Sequence, residues 1–431
     1  MKISFIIPSR NNKKYLEWAY NSIRKNQGNH EVEICVADDF SEDGTKEWCK
    51  QITAKDPQFK WIRNEGPERQ GLVILNDKLI NEVATNDLCI VYHADMYLCP
   101  GALGAIEKHM YEKVNLVSGK DGYIEREKTI VSLTRIEPPL HPPGPEKVLL
   151  ACGIEPEEFD EYKLLDRVKF MQEKVGQPLN ANTSPMPETT EGIFAPWAFW
   201  KKDFQEIGGH DPIFAPQSKE DTDIFNRFHL NGIKFVQTWE GFVYHMTCRG
   251  SRFADGAERN PNGEVFMKNR ETDEWLKQNQ KSTREFIRKW GHYCLHDKYM
   301  KPIVPPKYNV GIRVENCTPQ LLEALEPWCD RIYVDLEEFV LYQMKEQPNT
   351  SFDLNKRLHG ITENDKNDYD DILVEIDGNT FSNESFRHIQ YLSEILANDE
   401  QIEPGTFGLG DIKITVNYLQ TYEKDLILCK K

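Results

Sequence analysis

Four short segments, all before residue 250, carry side chains whose types and spacing suit the handling of a nucleoside diphosphate. Apolar Ile6-Ile7 runs into Pro8, Ser9, Arg10, Asn11 and Asn12. Val36-Ala37 runs into Asp38 and Asp39, then Phe40-Ser41-Glu42-Asp43-Gly44-Thr45. Ile90-Val91-Tyr92 runs into His93, Ala94 and Asp95. Gly208-Gly209-His210-Asp211 precedes Lys219-Glu220-Asp221-Thr222-Asp223, and Tyr244-His245 follows. Acids placed like Asp38 and Asp39 suit hydrogen bonds to ribose hydroxyls or to a base N–H. Asp95 suits a hard divalent cation, Mn2+ or Mg2+, because such ions prefer oxygen ligands, and His245 is a candidate second ligand. Asp221, with Glu220 beside it, suits a general base at a sugar hydroxyl. Each segment also has an ordinary local reading: a cap at Asn11 or Asn12, a capping turn at Ser41 or Asp43, a strand-end turn, and acids placed against a helix dipole. His245 and Cys248 form an isolated HxxC, which is weak spacing for zinc.

The elements that must position these groups alternate between two periods. Residues 3–7, 32–37, 59–62, 88–92 and 116–118 read as strands, the first two being continuous apolar runs of the kind buried on both faces. Residues 16–23, 44–54, 71–83 and 102–111 read as helices, with Pro100 at the start of the last. This alternation predicts a mostly parallel sheet with right-handed crossovers, and strand ends are where such sheets bind ligands. Residues 137–145 hold five prolines in nine positions, which predicts a loop or spacer. Helices are expected at 162–175, 219–230 and 272–290 and a strand at 233–238. Residues 176–190 and 249–263 read as loops able to close over a ligand. Pro302, Pro305 and Pro306 then mark a linker. A βαβ-like pattern restarts beyond them, with strands at 308–314, 331–334, 371–376 and 413–418 and helices at 319–325 and 384–396. The expected division is 1–250, a helical extension over 251–301, and a C-terminal α/β domain over 302–431.

Composition bounds the partners. The 431 residues carry 70 acids against 53 bases, a formal charge of −17, which argues against binding nucleic acid by phosphate neutralisation. With 21 Phe, 17 Tyr and 9 Trp there is ample material for more than one core. No apolar stretch approaches the roughly 18 residues of a membrane-spanning helix. The first apolar run is too short for a secretory segment, so the chain is expected to be cytoplasmic, with its ten scattered cysteines reduced.

In their order and spacing the four segments resemble family 2 glycosyltransferases of the GT-A fold. The opening strand followed by Pro and polar residues matches Ile6–Asn12. The acidic turn Asp-Asp-x-Ser-x-Asp-Gly-Thr matches Asp38–Thr45, with Phe40 where glycine is common. Asp-x-Asp matches His93-Ala94-Asp95, with His93 in place of the first acid. Gly-Gly-x-Asp and Glu-Asp-x-Asp match Gly208–Asp211 and Glu220–Asp223. The resemblance covers roughly residues 1–250. It implies a metal-dependent, inverting transfer of a sugar from a nucleoside-diphosphate donor, UDP by family precedent, to a hydroxyl acceptor such as a glycan. Asp38 and Asp39 would hold base and ribose, with Pro8, Ser9 and Arg10 lining that pocket and His93 and Ala94 close by. Asp95 and His245 would hold the cation, Asp221 would be the base, and Arg69 or Arg249 would contact the diphosphate. Trp197, Phe199 and Trp200 are candidates for an acceptor-stacking wall, with core packing the simpler reading for at least two of them.

Two other functions fit less well. A sugar nucleotidyltransferase usually carries a Gly-rich basic loop after its first strand, and residues 9–14 hold no glycine. A non-catalytic nucleotide-sugar or carbohydrate-binding protein would tolerate His93 and the additional C-terminal domain, which resembles no named family.

Overall fold

Strand β1 (Lys2–Ser9) forms where the first apolar run stands, and Ile3, Phe5, Ile6 and Ile7 are fully buried. In the computed structural model, which describes residues 1–115, 121–178, 185–247, 257–259, 265–267, 273–361, 370–398 and 402–429, β1 lies near the middle of a ten-stranded sheet. Helix α1 (Lys13–Asn26) leads to β2 (Glu31–Asp39), α2 (Thr45–Thr53), β3 (Phe59–Asn64) and α3 (Gly71–Lys78), which a π-type turn over Leu79–Val83 prolongs. Then come β4 (Leu88–Val91), β5 (Met96–Leu98), α4 (Ala102–Met110) and the hairpin of β6 (Tyr111–Asn115) and β7 (Asp121–Glu125). The domain continues through β8 (Thr129–Glu137), β9 (Lys147–Leu149), α5 (Glu161–Lys174), β10 (Thr189–Thr190), β11 (Trp197–Trp200), α6 (Lys201–Glu206), α7 (Glu220–Leu230) and β12 (Lys234–His245).

The main path of the sheet is β10-β12-β8-β11-β4-β1-β2-β3, with β5 on β12 and β9 on β8. Strands β4, β1, β2 and β3 are parallel, as the alternation predicts. The second half is mixed: β11 runs antiparallel to both β4 and β8, and β5 runs antiparallel to β12. Apolar periodicity reports burial and not strand direction, so this reversal has no signature in the pattern. The strand expected at 116–118 lies outside the described residues. Within 249–263, read as loop, β13 (Ala257–Arg259) pairs with β14 (Val265–Met267).

Helix α8 (Asp273–Trp290) leads to a second sheet of order β17-β16-β15-β18-β20-β19. Its elements are β15 (Val310–Glu315), α9 (Pro319–Leu325), β16 (Arg331–Val334), α10 (Leu336–Glu346), β17 (Leu358–Gly360), β18 (Ile372–Asp377), α11 (Asn383–Gln390), α12 (Leu392–Asn398), β19 (Gly405–Leu409) and β20 (Ile412–Val416). The single helix expected over 384–396 is two, α11 and α12, divided at Tyr391. The two sheets have separate apolar cores, and a smaller cluster of Val73, Phe214, Phe286 and Trp290 joins α3 to α8.

Candidate active site

Strand register assembles the site. Ser9 pairs with Asp38, and Asp38 with Arg63, so the polar ends of β1, β2 and β3 share one edge of the sheet. On β12, His245 pairs with Met96, and the Met246 N–H donates to the Asp95 carbonyl at 3.0 Å. Residues 95 and 245, distant in sequence, are thereby neighbours. The acidic turn is stitched to the exit of β1: the Asn11 N–H donates to Ser41 Oγ, the Glu42 N–H to Asn11 Oδ1, and the Lys13 N–H to Asp43 Oδ2. Phe40 sits at φ 57°, a left-handed conformation that a bulky side chain rarely adopts, which is why glycine suits that position.

A cleft of about 540 Å3 opens over this edge. Of the residues singled out from sequence, Pro8, Ser9, Arg10, Asp39, Arg69, His93, Ala94, Asp95, Trp197, Glu220, Asp221 and His245 line it. Asp38 and Trp200 do not. Asp38 is fully buried, paired with the Arg63 guanidinium and accepting the Ser41 N–H at 3.0 Å, so its carboxylate braces the acidic turn. Trp200 is buried against Tyr111 and donates its indole N–H to the Arg126 carbonyl at 2.9 Å, a core role and no acceptor wall. Phe199 is fully buried as well. Arg249 and Cys248 lie outside the described residues.

Asp39 caps the start of α3. Its Oδ1 accepts from the Gln70 N–H at 3.0 Å and its Oδ2 from the Gly71 N–H at 2.9 Å. Gly71 has φ 77°, and a Cβ there would stand 2.1 Å from the Pro216 carbonyl oxygen, so only glycine lets α3 meet this loop. The loop ends in Ser218 and Lys219, both left-handed, and launches α7 with Glu220 and Asp221 in its first turn. Asp221 is exposed and accepts the Thr222 N–H at 2.7 Å. Glu220 Oε2 is enclosed without a hydrogen-bond partner, and burial, reinforced by the Asp221 charge, raises the Glu220 pKa.

His93, Asp95 and His245 present ligand atoms within 4.8 Å of one another. His245 Nε2 lies 3.4 Å from Asp95 Oδ1 and 3.5 Å from His93 Nδ1. On its far side His245 Nδ1 lies 3.0 Å from Glu137 Oε1, and Arg135 pairs with the same oxygen at 3.0 Å. Burial opposes the charge on His245, but Asp95 and Glu137 outweigh it and lift its pKa to about 9. Burial, helped by His245, drops His93 to about 4. A carboxylate behind a histidine whose other nitrogen faces a carboxylate and a second imidazole is the usual support of a metal-ligating His. These residues fit a divalent cation.

Sequence reasoning missed several residues of this site. Glu137 opened the proline-rich stretch and was counted as spacer, yet it ends β8. Asn76, His210, Gln217 and Trp275 also line the cleft. Their one signal was the position of His210 inside Gly-Gly-His-Asp. Four lining residues present a buried polar atom without a hydrogen-bond partner: Ser9 Oγ, Arg69 Nε, Asn76 Oδ1 and Glu220 Oε2. Buried polar atoms are nearly always satisfied in a complete structure, so these four are open to bonds with a polar ligand.

A helix-flanked, mostly parallel sheet with an acid- and histidine-rich cleft over its strand ends is the GT-A architecture. On residues 4–171 the chain matches the family model described as Glycosyl transferase family 2. Abequosyltransferase RfbV of Salmonella typhimurium is 32% identical over 122 residues, 27% of this chain and 34% of that protein. The uncharacterized glycosyltransferase YfnE of Bacillus subtilis is 24% identical over 258 residues, 54% of this chain and 62% of that protein. The chain thus spans about a third of one relative and three fifths of the other. A crystal structure of S. aureus TarS, residues 1–349, aligns with 57% of this chain and 60% of its own at 15% identity and a TM-score of 0.37. Among the described residues no helix is long and apolar enough to cross a membrane.

Proposed function

We propose that the chain transfers a glycosyl group from a nucleoside-diphosphate sugar, UDP being the first nucleotide to test, to a hydroxyl acceptor such as a glycan, with inversion. The observation that carries this reading is the convergence, in one cleft, of a nucleotide-type edge, a cation-ligand set and a pair of carboxylates on a helix start. Pro8, Ser9, Arg10 and Asp39 line the nucleotide side, and Arg69 supplies a guanidinium for the diphosphate. His93, Asp95 and His245 would hold Mn2+ or Mg2+, which when bound supplies charge neutralisation for the leaving diphosphate.

Asp221 takes the acceptor proton. Burial, reinforced by the Asp221 charge, raises the Glu220 pKa and keeps that carboxyl protonated over a wider pH range. Glu220 is then a hydrogen-bond donor at its orphaned oxygen, and the two carboxyls divide the roles of acceptor and donor. Attack by the deprotonated hydroxyl from the face opposite the diphosphate inverts the anomeric centre. Changing Asp221→Asn abolishes transfer while nucleotide binding, measured by calorimetry with UDP and Mn2+, stays within about twofold. Turnover like that of the unmodified chain refutes the assignment of the base.

A further inference from the structure

Helix α8 lies outside both the matched residues 4–171 and the motif-bearing region, yet Trp275 in its first turn lines the cleft. Trp275, Gln278 and Ser282 are spaced three and four apart, hence on one face of the helix. Gln278 Nε2 donates to the Gln217 carbonyl at 3.2 Å, and Ser282 Oγ donates to the same oxygen at 3.1 Å. Gln217 Oε1 in turn accepts from Arg69 at 2.6 Å. The face that grips Gln217 therefore continues, one turn earlier, as an indole at the cleft, and Gln217 is followed three and four residues later by Glu220 and Asp221. The far end of α8 is anchored too: Lys289 reaches Asp211 at 2.7 Å and Asp223 at 2.6 Å, and the Trp290 indole donates to Asp223 at 2.9 Å. Trp275 thus rides on a helix fixed at one end to the loop that launches α7 and at the other to Asp223 of α7.

Trp197, the aromatic first read as an acceptor wall, differs. It is 3% exposed, with the rings of Phe199, Phe225 and Phe228 at 4.6, 5.6 and 5.8 Å, so it offers little surface to a ligand. Trp275 is half-buried.

We propose that Trp275 is the acceptor platform: its indole face stacks on the apolar C–H face of a pyranose ring whose hydroxyl is presented to Asp221. The proposal rests on the transferase reading above. A hydroxyl to be deprotonated must come within about 3 Å of the base. The ring that bears it then occupies the cleft that Asp221 and Trp275 both line. A flat aromatic suits a sugar because it covers a large apolar area at little conformational cost.

The test uses the full chain and its Trp275→Ala and Trp275→Phe variants. Probes are the methyl glycosides of glucose, galactose, mannose and N-acetylglucosamine, followed by saturation-transfer NMR titration, and UDP with Mn2+, followed by calorimetry. The expected result is that Trp275→Ala weakens glycoside binding about tenfold or more, Trp275→Phe retains most of it, and UDP affinity changes less than twofold. The proposal is overturned if UDP affinity falls as far as glycoside affinity, which would place the indole under the nucleobase. It is equally overturned if no glycoside binds the unmodified chain or if binding ignores the substitution. Failure of the transferase reading looks different: the unmodified chain then neither binds UDP nor turns over any nucleotide sugar.

Discussion

Replacing Lys289 with methionine isolates the contribution of α8 to the helix that bears the carboxylates. In the native chain the Lys289 ammonium and the Arg227 guanidinium balance Asp211 and Asp223, all four side chains at most 10% exposed. Lys289→Met keeps an unbranched side chain of similar length but removes the ammonium and leaves two buried carboxylates facing one cation. Breaking a buried pair from one side costs about 3–5 kcal/mol. For a domain of this size that corresponds to a fall in Tm of roughly 6–20 °C. Adding Asp211→Asn restores charge balance, since Arg227 still holds Asp223 at 2.8 Å and the Trp290 N–H still donates to it. The double variant should therefore recover at least about 1.5 kcal/mol of the loss, within the range of coupling between contacting residues. Urea denaturation followed by circular dichroism measures both, with a UDP titration on each variant to register movement of the cleft. A loss under about 1 kcal/mol in the single variant, or a double variant no more stable than the single, refutes the reasoning.

Two more outcomes follow from the structure. Burial would raise the carboxyls of Glu33, Glu137 and Glu326, but hydrogen bonds and cations (Lys60 and Ser4; His245 and Arg135; Arg357 and Arg288) hold each at about 2. Their stabilisation is present above the unfolded value near 4.5 and lost as pH falls toward 2. His93, held at about 4 mainly by burial, adds a loss that begins below 6.5. Between pH 6.5 and 4.5 the His93 loss is opposed by Glu220, whose raised pKa favours the folded state as pH falls, so the urea midpoint should drop steeply only below 4.5, and a flat midpoint from pH 4.5 down to pH 3 contradicts these assignments. Gly71→Ala should cost more than about 1 kcal/mol, because alanine is strained at φ 77° and its Cβ meets the Pro216 carbonyl. It should also weaken UDP binding through the displaced Asp39 cap, and an unchanged Tm would show that α3 and the loop have room to part.

The parts of the fold most legible in the sequence are those whose period is dictated by burial. Strands β1, β2 and β4 are centred on apolar runs, interrupted in β1 by Ser4 and in β2 by Glu33, and α1 and α4 carry apolar stripes, so both type and position follow from the pattern. Strand direction in the second half of the sheet was not legible, because β11 is as apolar as β4 and β8, to which it runs antiparallel. The cleft residues legible from sequence are those at strand ends within recognisable motifs. Asp38 shows the limit of that reasoning: of two adjacent acids, the pleat turns one toward the Arg63 side and the other toward α3, and sequence does not say which. Glu137, Gln217 and Trp275 reach the site through pairing and packing across long separations, which leave no local pattern.

The pairing of β12 with β5 has a consequence for how this protein can change over time. His245 faces Asp95 because a backbone ladder sets it opposite Met96, and the side-chain period of two means that a slip by one residue would present Tyr244 instead. The cation set is thus written into the sheet, whereas the aromatic at the cleft comes from a separate helix gripping a loop. Under the reading proposed above, a substitution at Trp275 would change the face offered to an acceptor while the ladder that sets His245 opposite Met96 stayed in register.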